Sequence, residues 1–307
     1  QTIAYNRGVE LFHNKKYSKA IKSFETSRTY KIDPRLSSGA VYWQAESYFG
    51  MANFAEAIKK YSSFKNEPGA ILTGKRGLAD YNLGYAYLRN GAKSSSISAF
   101  RSFVQGAGSD QKDRKADAYL RIADNYYLLK EDADAIKNYE RALNMGVRNG
   151  DYAYYQMAKS QGYQGNQNGK AKSLQSLIDK FPESSYHVAA LFELGEAYLE
   201  QKEHNRALKY FEQVVSDYPQ NGNAMKALYN MGVVYFRTQD YLRAKDIFNQ
   251  VVDQYKGSEI ANSAIEQMKE VFKALDQLDE YVPWLRSKGI DASFEELDNE
   301  YYVMAMD

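Results

Sequence analysis

The chain has 307 residues, with 40 basic against 39 acidic side chains, a formal charge of +1, three histidines and no cysteine. That balance leaves no bulk field to draw it onto nucleic acid or an anionic membrane, so any electrostatic recognition must be local. The missing thiols exclude thiolate catalysis, disulfides and cysteine-based zinc sites, and no run reaches the roughly 18 apolar residues that a spanning helix needs.

In chain order, the small residues Gly8, Ala45, Gly84, Ala123, Ala158, Gly195 and Gly232 recur at intervals of 37, 39, 39, 35, 37 and 37. Twelve positions after each comes Ala20, Ala57, Ser96, Ala135, Lys170, Ala207 and Ala244. A period in this range predicts stacked two-helix units, each burying its apolar face only against its neighbours. The expectation is therefore one elongated array over residues 1–289, with units starting near 1, 38, 77, 116, 151, 188, 225 and 261.

The first unit sets the pattern. Ala4, Gly8, Leu11 and Phe12 share one helical face, a polar turn spans 13–16, and Tyr17, Ala20, Ile21 and Phe24 form a second face. The small residue of the first helix lets the second approach closely, and the aromatic four places after the second small residue fills the space between units. The grammar returns from Tyr42, Tyr81, Tyr119, Tyr155, Phe192 and Tyr229. The eighth unit, from Ala261, carries Lys269 where the small residue belongs, which predicts looser packing; its second helix, from about Asp279, tolerates Pro283 only in its first turn. GAGSDQKDRK from Gly106 reads as a lengthened connection.

Gln1 is not an initiator Met, and no signal-peptide pattern follows it. EYYVMAM from Glu300 starts a helix without a terminal cap, so residues 290–307 are expected to begin a further, truncated repeat of a longer protein.

YNLGYAYLRNG at Tyr81, YNMGVVYF at Tyr229 and EAIKKY at Glu56 make the chain resemble the tetratricopeptide repeat family over nearly its whole length. The resemblance implies an all-α fold, a right-handed superhelical α-solenoid of about eight antiparallel helix pairs. The family's first-helix tryptophan is mostly Tyr or Leu here, the period is longer, and Lys170 replaces a small residue. The turns KFPESS from Lys180 and DYPQNG from Asp217 are similar to those of bacterial cell-envelope members of the family, which implies the periplasm or envelope, with the cytoplasm as the alternative.

Chemistry-bearing clusters are hard to find. His13 and His204 fall beside turns and His187 just before a first helix, so none has the spacing of a metal or catalytic set. The glycines of QGYQGNQNGK from Gln161 sit in a helix-to-helix connection with no preceding strand, unlike a phosphate loop. No nucleophile, base and orienter fall together in the repeat frame. The reading is a non-enzymatic chain without cofactor or metal.

Tyrosine is abundant, at 28 residues. Tyr48, Tyr87, Tyr126, Tyr198 and Tyr235 all follow the small residue by three and read as core filler. Tyr5, Tyr42, Tyr81, Tyr155, Phe192 and Tyr229 precede it by three, with Leu120 in the same phase. The resemblance puts this row on the concave wall of the solenoid. One turn on come Val9, Glu46, Tyr85, Asp124, Lys159, Glu196 and Val233, with Glu266 and Glu270 in the two phases of the last unit. The candidate partner-binding residues are thus Tyr5, Tyr42, Glu46, Tyr81, Tyr85, Asp124, Tyr155, Lys159, Phe192, Glu196, Tyr229 and Glu270.

The same positions admit a plain packing reading. Family members that capture acidic carboxy-terminal peptides use Lys, Arg and Asn there, a set this chain lacks. The expected partner is therefore a protein or peptide, basic or apolar and not acidic, held by an interaction scaffold. The alternatives are a non-catalytic segment of a larger cell-envelope assembly or enzyme, and an RNA-binding helical repeat, which the acid-leaning face opposes. Self-association through an uncapped terminal unit is a further possibility.

Overall fold

The computed structural model describes residues 1–290. Among them sixteen α-helices follow one another as eight successive pairs, joined by short turns and three 3-10 segments. First helices begin at Thr2, Pro34, Arg76, Lys112, Gly150, His187, Gly222 and Glu259, within four residues of the starts read from the sequence. The stretch 291–307, and with it nearly all of the truncated repeat expected there, lies outside the described residues.

The chain divides into two compact units, Gln1–Gly165 and a second from Asn166 onward. The first holds α1 (Thr2–His13), α2 (Tyr17–Thr29), α3 (Pro34–Gly50), α4 (Phe54–Lys65), α5 (Arg76–Arg89), α6 (Lys93–Gly106), α7 (Lys112–Leu128), α8 (Asp132–Asn144) and α9 (Gly150–Tyr163). The second holds α10 (Gln167–Lys180), α11 (His187–Glu200), α12 (His204–Asp217), α13 (Gly222–Arg237), α14 (Tyr241–Gln254), α15 (Glu259–Ala274) and α16 (Tyr281–Ser287). In each unit every helix packs on the next along the chain, as the repeat pattern requires.

The periodic small residues do the work the sequence assigns them. Ala20, Ala57, Ser96, Ala135, Ala207 and Ala244 are completely buried, and so are the residues four places on, Phe24, Tyr61, Phe100, Tyr139, Phe211 and Phe248. A methyl group placed on Gly8, Gly84, Gly195 or Gly232 would come within 2.5 to 2.7 Å of the ring of Phe24, Phe100, Phe211 or Phe248 respectively. Only glycine permits that approach. At two of the three alanines in the first-helix row the residue in the facing phase is a tyrosine, Ala45 with Tyr61 and Ala123 with Tyr139; at Ala158 it is Leu174. Ser96 replaces alanine without leaving an unpaired hydroxyl, because its Oγ donates to the Gly84 carbonyl at 2.8 Å and accepts from Asn125 Nδ2 at 3.2 Å.

The turn inside each pair has one recurring device. Lys15, Ala52, Gly91, Lys130, Gly165, Lys202, Gln239 and Asp276 all have φ between 50° and 80°. Each lies seven places after the small-residue position of its first helix, which in the last pair is Lys269. A single left-handed residue reverses the chain in every pair, yet only two of the eight are glycine.

Two expectations need correction. Of GAGSDQKDRK only the first few residues form a connection, because α7 already begins at Lys112; the longer period there is partly a longer first helix. His187 opens α11 and does not precede it. In the last pair Pro283 is the third residue of α16 and therefore lies in its first turn, where its missing N–H costs nothing. That pair is the irregular one: Tyr281 occupies the phase of the second small residue, and α16 has only seven residues.

Candidate partner-binding face

The aromatic row packs before it does anything else. Tyr5, Tyr42, Tyr81, Phe192 and Tyr229 each lie against the interpair ring of their own second helix, with centroids 5.6 to 6.1 Å apart. Tyr42 and Phe192 are buried, at 2% and 8% exposure, so neither ring is open to a partner. Tyr5, Tyr81, Tyr155 and Tyr229 are half-buried.

In the first unit the hydroxyls of this row stitch α1 to α3, α3 to α5 and α5 to α7. Tyr5 accepts from Trp43 Nε1 at 3.1 Å, Tyr42 accepts from Asn82 Nδ2 at 3.2 Å, and Tyr81 donates to Asp117 Oδ2 at 2.7 Å. Trp43 and Asn82 precede their own small residues by two, immediately after the aromatic row. This adjacent row, Asn6, Trp43, Asn82, Arg121, Gln156, Glu193 and Asn230, carries a hydrogen-bonding side chain at every position, a signal in the sequence beyond the two candidate rows.

The acidic row divides by what each carboxylate meets. Asp124 is a structural acid. It takes an ion pair from Arg121 Nη1 at 2.6 Å on one oxygen, and hydroxyls from Tyr139 and Tyr152 at 3.0 and 3.1 Å on the other. Arg121 also reaches Asp117 at 3.4 Å, and Asp117 receives Tyr81 and Tyr85. This network runs from α5 through α7 and α8 to α9. Burial raises the Asp124 pKa, while Arg121 and the two phenols oppose the shift. Burial, then the bond to Asp117, pushes Tyr85 up to about 12. Tyr81 and Tyr139 are driven far above the ordinary phenol value, chiefly by burial.

Glu46 is different. It accepts from Tyr61 Oη at 2.7 Å and from Asn82 Nδ2 at 2.5 Å, and both bonds use Oε1. Both donors are neutral, and among the described residues no cation is bonded to it. Glu46 lines a pocket of about 430 Å³ with Phe49, Phe54, Tyr61, Asn82, Tyr85 and Arg89. Tyr85, Glu46 and the polar edge of Tyr61 are thereby brought together within the first unit. Lys159, the cation of the row, lies over the rings of Tyr127 and Tyr155 at 5.8 and 6.0 Å.

In the second unit Glu196 is half-buried on α11, next to Gly195, and its facing ring is Phe211, which has no hydroxyl to offer. Among the described residues no tyrosine donates to it. Burial raises its pKa first; Lys170 opposes and Glu193 reinforces the shift. Lys170, the odd residue of the fifth repeat, instead pairs with Glu193 at 3.3 Å. Tyr229 has its pKa raised by burial and then by Glu266, and Glu266 and Glu270 are both exposed on α15.

The filler tyrosines behave less uniformly. Tyr126 and Tyr198 are buried, but Tyr48, Tyr87 and Tyr235 are half-buried. Three of the five carry an arginine over the ring: Arg101 on Tyr126 at 5.5 Å, Arg206 on Tyr198 at 3.9 Å and Arg243 on Tyr235 at 4.6 Å. Among the described residues no group of three or more His, Asp or Glu could hold a metal ion, and no helix is long and apolar enough to cross a membrane.

Serial two-helix units with a close-packed small residue and a ring between pairs define an α-helical repeat protein. Tetratricopeptide repeat models match residues 186–257 and residues 40–69, 117–144 and 152–184, together just over half of the chain. The chain belongs to the tetratricopeptide repeat family. The matches are to repeats alone, and repeats of this kind are in general protein- and peptide-binding scaffolds. No curated protein matches the sequence. Among solved structures, the C-terminal part of a TPR repeat-containing protein from Cytophaga hutchinsonii is similar at 16% identity, TM-score 0.62, with 85% of this chain and 98% of that one covered. YrrB, described as a TPR protein with an unusual peptide-binding site, is similar at 17% identity, TM-score 0.51, over 69% of this chain and 97% of its own. At these identities the likeness is one of fold.

Proposed function

We propose that this chain is a non-catalytic scaffold that holds an extended, basic or apolar polypeptide segment against the face formed by its first helices. The observation that carries the reading is the difference between the acids: Asp124 is neutralised by Arg121, whereas among the described residues no cation is bonded to Glu46 or Glu196. The half-buried ring of Tyr85 beside Glu46 supplies contact area at low entropic cost. YrrB gives a precedent for peptide binding on this fold and nothing finer. The envelope location belongs to the same proposal and rests on the turns from Lys180 and Asp217 alone.

The test is a peptide array probed with the purified chain, followed by titration of the best binders against Glu46→Lys and Glu196→Lys. Basic or apolar sequences should dominate, and each reversal should weaken basic ligands about tenfold or more, as expected for loss of a charged contact. Enrichment of Asp- and Glu-rich sequences, or reversals without effect on affinity, would refute the proposal.

A further inference from the structure

The pocket around Glu46 carries more than a preference for positive charge. Both hydrogen bonds to this carboxylate land on Oε1, and Oε2 takes part in neither. Phe49 and Phe54 meet edge to face at 5.4 Å on the wall beside it. Tyr85 adds a third, half-buried ring. A carboxylate at one side with several aromatic rings around it suits an ammonium or guanidinium group, through an ion pair and cation–π attraction together.

Arg89 complicates a purely cationic reading. It lines the same pocket, is exposed, and among the described residues has neither a hydrogen bond nor an ion pair through its side chain. Asn82, Tyr85 and Arg89 lie three and four residues apart on α5 and therefore share one face of that helix. Asn82 bonds Glu46, and Arg89 lies seven residues, about 10 Å, further along the helix. A simple basic side chain would leave this guanidinium opposed to it. A ligand with a cation at one end and an anion at the other would satisfy both.

We infer that the Glu46 pocket captures the carboxy-terminal residue of a partner polypeptide when that residue is lysine or arginine. The side-chain cation meets Glu46 among the rings of Phe49, Phe54 and Tyr85, and the terminal carboxylate pairs with Arg89. A volume of about 430 Å³ lies within the range of sites that hold one such group. The inference rests on the proposed function and narrows it to one anchor.

The test uses the full chain and three dye-labelled peptides of one apolar sequence: one ending in lysine as the free acid, its carboxamide, and one ending in norleucine as the free acid. The wild type should bind the first about tenfold more tightly than either of the others. Glu46→Gln keeps the Oε1 acceptor for Tyr61 and Asn82 while removing the charge; it should erase the advantage of lysine over norleucine and leave that of acid over amide. Arg89→Gln should do the reverse. Far-UV circular dichroism and melting of both variants check that folding is unchanged. Equal binding of acid and amide by the wild type, or an acid preference that survives Arg89→Gln, would overturn the inference. If peptides with internal lysines bind as well as terminal ones, the anchor is wrong while the scaffold reading stands. If no basic or apolar peptide binds at all, both fall.

Discussion

Gly195→Ala tests the packing rule on which the array depends. A Cβ at that position lies 2.6 Å from Phe211 Cε1 and 2.8 Å from Cδ1. Phe211 is completely buried, so its ring has no solvent to swing into. Overfilling such a contact costs about 1–3 kcal/mol, whereas glycine to alanine inside a helix gains about 1 kcal/mol. The expected result is a net loss of about 1 kcal/mol. The chain itself contains the compensated arrangement: Ala45 faces Tyr61, whose hydroxyl donates to Glu46, and Ala123 faces Tyr139, whose hydroxyl donates to Asp124. Glu196 stands in the matching place after Gly195. Adding Phe211→Tyr to Gly195→Ala should therefore restore stability, since a hydrogen bond to a charged group contributes about 1.5–3 kcal/mol. The two changes should couple favourably by about 1 kcal/mol in a double-mutant cycle. Urea unfolding of the full chain followed by circular dichroism measures the loss, and hydrogen exchange in α11 and α12 localises it, which matters because repeat arrays need not unfold in one step. A single mutant as stable as the parent, or a double mutant no better than the sum of its parts, would refute the reasoning.

Two further outcomes follow from the same geometry. Lys130 and Lys202 hold the left-handed turn at φ of 62° and 60°, so Lys130→Gly and Lys202→Gly should each raise stability by about 0.5 kcal/mol, the relief of backbone strain exceeding glycine's unfolded-state entropy; a lowered urea midpoint would count against it. Burial holds Glu196 above the ordinary carboxyl pKa, so the native state binds its proton more tightly than the unfolded chain does. Its contribution therefore falls as pH rises through the window above the ordinary carboxyl value. Glu196→Gln should raise the urea midpoint at pH 7, and the difference should close below about pH 4; a midpoint lowered at pH 7 would contradict the assignment of burial as the dominant cause.

Much of this was legible before any coordinates. The interval between small residues marked the helix pairs because a close helix crossing tolerates little more than hydrogen or methyl at one point per turn. The same phase predicted which rings fill the gap, and Phe24, Phe100, Phe211 and Phe248 are the rings found there. The candidate site was legible only as rows. The tyrosines three places before the small residue were correctly placed on the first helices, but spacing along one helix carries no information about the neighbour that a hydroxyl will reach. Tyr81 finds Asp117, 36 residues away, and Tyr42 finds Asn82, 40 residues away.

The sequence by itself therefore determined the class of fold, the pairing of helices and the sign of the charge along the first-helix row, because each depends on periodicity and composition. Tertiary structure decided which of those charges are spent. Asp124 and Glu46 occupy the same phase, yet one is locked to an arginine and two phenols while the other meets only neutral donors through a single oxygen. The cation comes from Asp124's own helix, where Arg121 stands three places back and Trp43 stands before Glu46, but the neutral donors do not: Tyr139 and Tyr61 come from the second helix of the pair, and Tyr152 and Asn82 from the next pair. Those neutral donors lie 15 to 36 residues further along the chain, and only the stacked helices bring them within reach.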